Sequence, residues 1–275
     1  MRKTYIGWIV VVLIVASWGY NLYSHQTNRL PEGRFLSHRI EATDSPGDSF
    51  WLYYIANNDD KRLPISVSIE GMSALQFDPV SEYMTFRNQR MYRLLGHFNG
   101  DPDNTPFGKA KPLTIHSVDV YYSDGTRGKA DIGEMIVYRG DWASGGSISQ
   151  TNSSSSSNGT QTAAFQVDKP VTLNGFSSAF LNELGSAFTY ELHAGKEAAV
   201  FPQAVEAGES ISFISNFHVP ADSQLYLQPV SMRLRLEYSD EDGTERVQMI
   251  PLERQPYPSE AAIRAYVKAQ REATE

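Results

Sequence analysis

Histidine, serine and carboxylate side chains carry most hydrolytic chemistry, and none in this chain stands at the spacing such chemistry needs. The six histidines, at 25, 38, 97, 116, 193 and 218, include no His-Glu-x-x-His pair, the helical spacing that brings two imidazoles to one metal. Zinc hydrolysis therefore has no support, and His116 and His218, in strand-like runs, are expected to be partly buried structural residues. No Gly-x-Ser-x-Gly elbow occurs; Gly71-Met72-Ser73 and Gly175-Phe176-Ser177 lack the second glycine and read as turns. The chain has no cysteine, which excludes thiol catalysis, disulfides and a lipidated cysteine. Asp101-Pro102-Asp103-Asn104 and Asp240-Glu241-Asp242-Gly243 do not continue to the bidentate Glu of a calcium loop and read as plain turns. Phosphate-cradling glycine loops and nucleotide fingerprints are absent from the sequence. The expectation is a non-catalytic protein with no cofactor and no metal.

Aromatic residues make up 12% of the chain, which moves attention from catalysis to contact. Trp51 and Tyr53 share one face of the run Phe50 to Ile55, and Tyr121 shares a strand face with Asp119. Outward rings stack on sugars or anchor a protein partner, so Trp51, Tyr53 and Tyr121 are the candidate contact residues. The competing reading has these rings cover the second face of a central strand or an interdomain contact.

The elements that must position these rings read as strands. Phe50-Trp51-Leu52-Tyr53-Tyr54-Ile55 is apolar on both faces, as a central strand covered on each side is; the turn Asn57 to Asp60 then leads to the alternating run Ile65 to Ile69, a candidate hairpin. A short helix is expected from Asp78-Pro79. At 143–164 the sequence becomes rich in Ser, Thr, Asn, Gln and Gly, which predicts a flexible linker.

Two segments on either side of that linker echo each other. Val118-Asp119-Val120-Tyr121-Tyr122 leads to Ser123-Asp124-Gly125-Thr126, and Leu234-Arg235-Leu236-Glu237-Tyr238 leads to Ser239-Asp240 and Asp242-Gly243-Thr244. Asp-Gly between alternating runs signals a tight hairpin, because glycine accepts the positive φ of the turn. Upstream, Pro64-Ile65-Ser66-Val67 is matched by Pro170-Val171-Thr172-Leu173. Two matches in one order predict an internal duplication. The expected fold is all-β: two tandem antiparallel β-sandwich domains of immunoglobulin-like kind at 34–142 and 165–258, then a C-terminal helix at 259–275. That helix is expected from Glu260 to Glu272, capped by Ser259, with Ile263, Tyr266 and Val267 on one face.

Before the strands, Tyr5 to Leu22 carries no charged residue and as a helix would extend about 27 Å, close to the hydrocarbon thickness of a bilayer. The expected plan is a cytoplasmic head at 1–4, a transmembrane anchor at 5–23 and a polar stalk at 24–33. Arg2 and Lys3 stand on one side; Tyr5 and Trp8 lie near one interface, and Trp18, Tyr20 and Tyr23 near the other. The rival reading is a secretory signal cut after Val15-Ala16-Ser17.

The formal net charge is −8, and with two basic residues in the head the remainder is more acidic still, a surface that repels nucleic acid. These features predict a single-pass membrane protein with its N-terminus inside and its bulk extracytoplasmic. They fit a protein-interaction or accessory module of a bacterial cell envelope, with the lipid bilayer and an envelope protein as partners. The alternative is an ectodomain that binds cell-wall glycan or a small ligand.

Overall fold

The computed structural model describes residues 2–99, 111–139, 146–156, 159–195, 197–220 and 223–274, without the side chains of 2–7, 9–11, 24, 25 and 224. After helix α1 (Arg2–Thr27), the alternating and aromatic runs form strands β1 (Arg34–Phe35), β2 (His38–Thr43), β3 (Ser49–Asn57), β4 (Pro64–Ser68), β5 (Leu75–Phe77), β6 (Ser81–Thr85), β7 (Gln89–Phe98), β8 (Leu113–Tyr122) and β9 (Arg127–Tyr138). There follow β10 (Ile148–Ser155), β11 (Thr160–Val167), β12 (Val171–Ser177), helix α2 (Leu181–Leu184), β13 (Phe188–Ala194), β14 (Glu197–Ala198), β15 (Gln203–Val205), β16 (Ser210–Phe217), β17 (Val230–Asp240), β18 (Glu245–Arg254) and helix α3 (Glu260–Glu272). The protein is thus mainly β, with a C-terminal helix.

Three sheets are formed. One runs β1-β3-β7, with β5 and β6 both paired to β7; another runs β10-β11-β16-β13-β14. The third is long and is shared by both halves of the chain: β4-β8-β9-β2 from the first half meets β17, β18, β12 and β15 from the second. β17 carries β18 along one edge from Val230 to Ser239, and its other edge is divided between β2 at Val230 and Ser231 and β12 from Arg235 onward.

The parallel between the halves is visible in strand order. In the long sheet, β9-β8-β4 and β18-β17-β12 follow the same sequence of hairpin and crossing strand. Both hairpins close on the Asp-Gly turns read from the sequence, with Gly125 at φ 83° and Gly243 at φ 81°. The matched segments beginning at Pro64 and Pro170 lead into β4 and β12, which hold corresponding places.

Each half encloses an apolar layer between its own sheet and its part of the long sheet. Phe50, Leu52 and Tyr54 of β3 meet Val118, Val120, Ile132 and Met135; Phe165, Ile211 and Phe213 meet Leu173, Leu234 and Leu236. A third cluster lies outside these two layers. Tyr53 and Ile55, on the far face of β3, are covered by Ile263 and Val267 of α3 together with Leu30, Leu36, Phe86 and Met91. Full burial of such side chains contributes roughly 1.5–3 kcal/mol each. Helix α3 starts where the sequence places it, Ser259 Oγ accepting from the Ala262 N–H at 3.2 Å, and it carries the C-terminus back onto the first half.

Several expectations are corrected. The segment 143–164 is not a linker in its described part: β10 and β11 pair from Ile148–Val167 to Ser155–Gln161, and alternate residues of β11 are buried. The polar side chains of β10 from Ser149 to Ser155 are all exposed, so polarity reported exposure rather than lack of structure. β3 and β4 do not form a hairpin, since β3 pairs with β1 and β7 while β4 crosses to pair with β8. Asp78-Pro79 precedes strand β6 rather than opening a helix. Gly175 lies at a bulge in β12, where the register shifts between Leu173 and Gly175, whereas Gly71 does occupy a turn. The acidic loop at 101–104 lies outside the described residues.

Among the described residues no helix is long and apolar enough to cross a membrane. The expected anchor at 5–23 lies within α1, but the side chains of 5–7 and 9–11, like those of Arg2 and Lys3, lie outside what is described. Of the described remainder, Val12, Leu13, Ile14, Val15, Trp18, Tyr20 and Tyr23 are all exposed.

Candidate functional site

A concavity sits on the second half, between the edge hairpin β10–β11 and the outer edge of β18. It is an open groove of about 840 Å³. One wall is β10, where every residue from Ser149 to Ser155 is exposed. The floor is apolar, with Phe213, Phe217 and Ile250, and the far rim is formed by Tyr226 and Tyr257. Tyr226 stands on a short 3-10 turn, Gln224–Leu227, begun by the Leu225 N–H donating to Ser223 Oγ at 3.2 Å.

Glu253 and Arg254 are the charged residues among the described lining, and both are committed inward. Arg254 Nη1 donates to the carbonyls of Leu225 at 3.2 Å and Gln228 at 2.9 Å, and Nη2 donates to that of Tyr226 at 2.9 Å. The guanidinium therefore holds the 3-10 turn in place, and burial lowers its pKa. Burial likewise raises the pKa of Glu253, against the opposing pull of Arg233. The hydroxyls of Ser153, Ser155 and Ser156 carry no hydrogen bond among the described residues, while Ser154 and Thr162 pair at 2.9 Å.

The outer edge of β18 is closed to strand addition. Gln161 Nε2 donates to the Glu253 carbonyl at 2.7 Å, and the Glu253 N–H donates to Gln161 Oε1 at 3.2 Å, so one amide side chain takes the place of a neighbouring strand. Two residues earlier, with the same outward orientation, Pro251 has no N–H to offer. An edge strand so blunted resists pairing with another chain.

No protein-family model matches the chain, and no curated protein does.

The structure does not bring the three sequence-chosen aromatics together. Tyr53 is 2% exposed, with its ring edge-on to Tyr83 at 5.1 Å. Trp51 is half-buried beneath the Arg93 guanidinium, 4.4 Å from the ring centroid. Tyr121 is exposed on the long sheet, with Arg127 at 5.0 Å. For Trp51 and Tyr53 the reading that holds is the covered second face of a central strand. His116 and His218 are exposed, and the buried imidazole is instead His38.

The groove residues escaped the sequence reading because one wall was taken for a linker. A signal is present in Ala163-Ala164-Phe165-Gln166-Val167, whose apolar residues mark a strand that begins within the polar tract and runs past its end. A smaller hollow of about 650 Å³ lies between α3 and the 3-10 turn, lined by Leu225, Leu227, Ala262, Ala265 and Tyr266.

Proposed function

We propose that this chain is a membrane-tethered, extracytoplasmic, non-catalytic accessory module in which two duplicated immunoglobulin-like β-sandwiches present a recognition groove on the second. The observation that carries this reading is the groove itself: open, with Arg254 turned inward to the 3-10 turn and the hydroxyls of Ser153, Ser155 and Ser156 without a partner among the described residues. A catalytic cleft would gather titratable groups around a reacting centre, whereas this one gathers Ser, Thr, Gln and Tyr. The sandwich assignment is supported by the strand orders β1-β3-β7-β5 with β4-β8-β9, and β10-β11-β16-β13 with β12-β17-β18, which correspond in order, β2 being an addition of the first half. Duplication is supported by the same correspondence and by the paired sequence echoes.

The tether is supported by the uncharged run from Tyr5 and by the outward apolar side chains of α1 from Val12 to Val15. The acidic remainder fits an extracytoplasmic surface that does not bind nucleic acid.

The test is a photoreactive side chain at position 155, on the β10 wall, in intact cells. The expected result is a specific crosslinked adduct of envelope material, with no such adduct from position 129 on the opposite half. An equal, nonspecific yield from both positions would overturn the reading of the groove as a recognition site.

A further inference from the structure

The groove on the second half has a chemistry narrower than recognition in general. Resting on the proposal that this groove is a recognition site, we infer that its ligand is a neutral, hydroxyl-rich chain of sugars. Four observations converge on that class.

The first concerns charge. An anionic polymer needs free guanidinium or ammonium groups, and a cationic peptide needs free carboxylates. Arg254 spends its terminal nitrogens on the carbonyls of Leu225, Tyr226 and Gln228, and Glu253 is half-buried, with burial favouring its neutral form. What the lining offers a ligand is therefore uncharged.

The second concerns hydrogen-bonding capacity. Ser153, Ser155 and Ser156 present hydroxyls that act as donor and acceptor alike, and Gln150 and Gln255 add amides. Sugar hydroxyls have the same dual character, so a wall of this kind meets them without leaving a buried donor or acceptor unpaired.

The third concerns the rim. Tyr257 is 56% exposed, with one side of its ring against Tyr83 at 5.7 Å between centroids, and the Tyr226 hydroxyl donates to its backbone carbonyl at 3.3 Å. An exposed ring with a polar tip suits a partner that is apolar on one face and hydroxylated at its margin, as a pyranose ring is.

The fourth disfavours one competitor, a peptide added as a strand to β18. An extended peptide binds a sheet edge through backbone pairing, and β18 offers none at Pro251 and Glu253, the first lacking its N–H and the second already paired to Gln161. The groove's volume of about 840 Å³ lies within the range of roughly 300–1,000 Å³ of sites that enclose small ligands, enough for a short stretch of a sugar chain.

The experiment uses the full chain in detergent micelles and four probes, each followed by saturation-transfer NMR. They are the tetramer of β-1,4-linked N-acetylglucosamine, the tetramer of α-1,4-linked glucose, the acidic tetramer of galacturonate, and an eight-residue Thr/Val peptide. At least one neutral tetrasaccharide is expected to bind, with the galacturonate tetramer and the peptide silent. Tyr257→Ala should weaken that binding at least tenfold, with circular dichroism showing the fold retained at the temperature of the measurement, and Ser155→Trp, which fills the β10 side, should abolish it. Binding of the peptide or the galacturonate in place of both neutral sugars overturns the inference, as does silence of all four probes.

The in-cell crosslink from position 155 separates the two levels of the argument. Adducts that contain only protein overturn the sugar assignment and leave the recognition reading standing, whereas a nonspecific yield removes both.

Discussion

The backbone N–H of Tyr53 donates to Nε2 of His38 at 2.8 Å, while Nδ1 of the same fully buried imidazole faces the Ile132 carbonyl at 2.9 Å. The ring is thus neutral, with its proton on Nδ1, and it ties β3 to the long sheet. Burial lowers its pKa from 6.5 to about 4. Between those values the unfolded chain binds the proton and the folded chain does not. Stability is therefore complete above pH 6.5 and falls as pH drops toward 4, by about 3 kcal/mol in all. Glu253, whose pKa burial raises, contributes with the opposite sign, so the comparison must be with His38→Gln, which keeps a donor and an acceptor but cannot titrate. Urea denaturation at pH 7.5, 5.5 and 4.5 should show a loss in the wild type that is absent in the variant; parallel losses would contradict the assignment.

Glu41 stands where β2 and β12 part along β17, and it accepts four hydrogen bonds. Tyr138 Oη at 2.6 Å and the Ala179 N–H at 2.7 Å reach Oε1; Ser178 Oγ at 2.8 Å and the Arg233 N–H at 3.0 Å reach Oε2. One carboxylate thereby joins both halves of the chain. Glu41→Gln sets an NH₂ against two donors, at a cost of roughly 2–4 kcal/mol. Calorimetry is expected to show a lower first transition and a splitting of the two halves; a single unshifted transition would remove the junction role.

Arg233 and Asp48 form a second link between the halves, with 7% and 13% of their side chains exposed. Arg233 Nη2 also donates to the Ser49 carbonyl at 3.0 Å, and Asp48 Oδ2 accepts from the Thr43 N–H at 2.6 Å. Arg233→Met should destabilise the protein by about 3–5 kcal/mol, because it strands a buried carboxylate. Arg233→Met combined with Asp48→Asn should recover part of that loss. Chemical denaturation of the three variants checks the coupling, and additive losses would show that the pair does not act together.

The C-terminal helix is a wall of the first half rather than a tail. Ile263 is 0% and Val267 1% exposed against the outer face of β3. Ile263→Ala is expected to cost about 2–5 kcal/mol, as a large-to-small change in a packed core does. Tyr266→Phe, which keeps the ring, should cost far less. Hydrogen exchange should then show faster opening of β3 in the first variant only; unchanged protection would mean that α3 does not cover that face.

The sequence was informative wherever a local rule and a tertiary demand coincided. The Asp-Gly hairpins, the double-faced strand at Phe50 to Ile55 and the Ser259-capped helix could be read because turn chemistry, alternation and capping are local. Which strand crosses to which sheet could not: β3 and β4 look like a hairpin in one dimension, and only packing against β7 and β8 separates them. The rings of Trp51 and Tyr53 misled for a related reason, since the covering helix α3 lies some two hundred residues away in sequence. The groove was hidden twice, by a polar edge hairpin that resembles a linker and by the distance between Ser155 and Tyr257 along the chain.

The tether itself admits a direct test at Leu13, in the middle of the uncharged run and 63% exposed on α1. If that run lies in hydrocarbon, its outward Leu, Ile and Val side chains are in their proper solvent. A cation at the centre then costs about 2.5–3.5 kcal/mol on insertion scales, and two cations roughly twice that. Leu13→Arg with Val15→Arg should shift the protein from the membrane pellet to the supernatant after alkaline carbonate extraction, whereas Leu13→Ile should leave it in the pellet. Because this part of α1 makes no contribution to the three apolar clusters, the released double variant should keep the melting temperature of the β portion. A wild type extracted by carbonate to the same extent as the double variant would mean that the helix does not hold the chain in a bilayer.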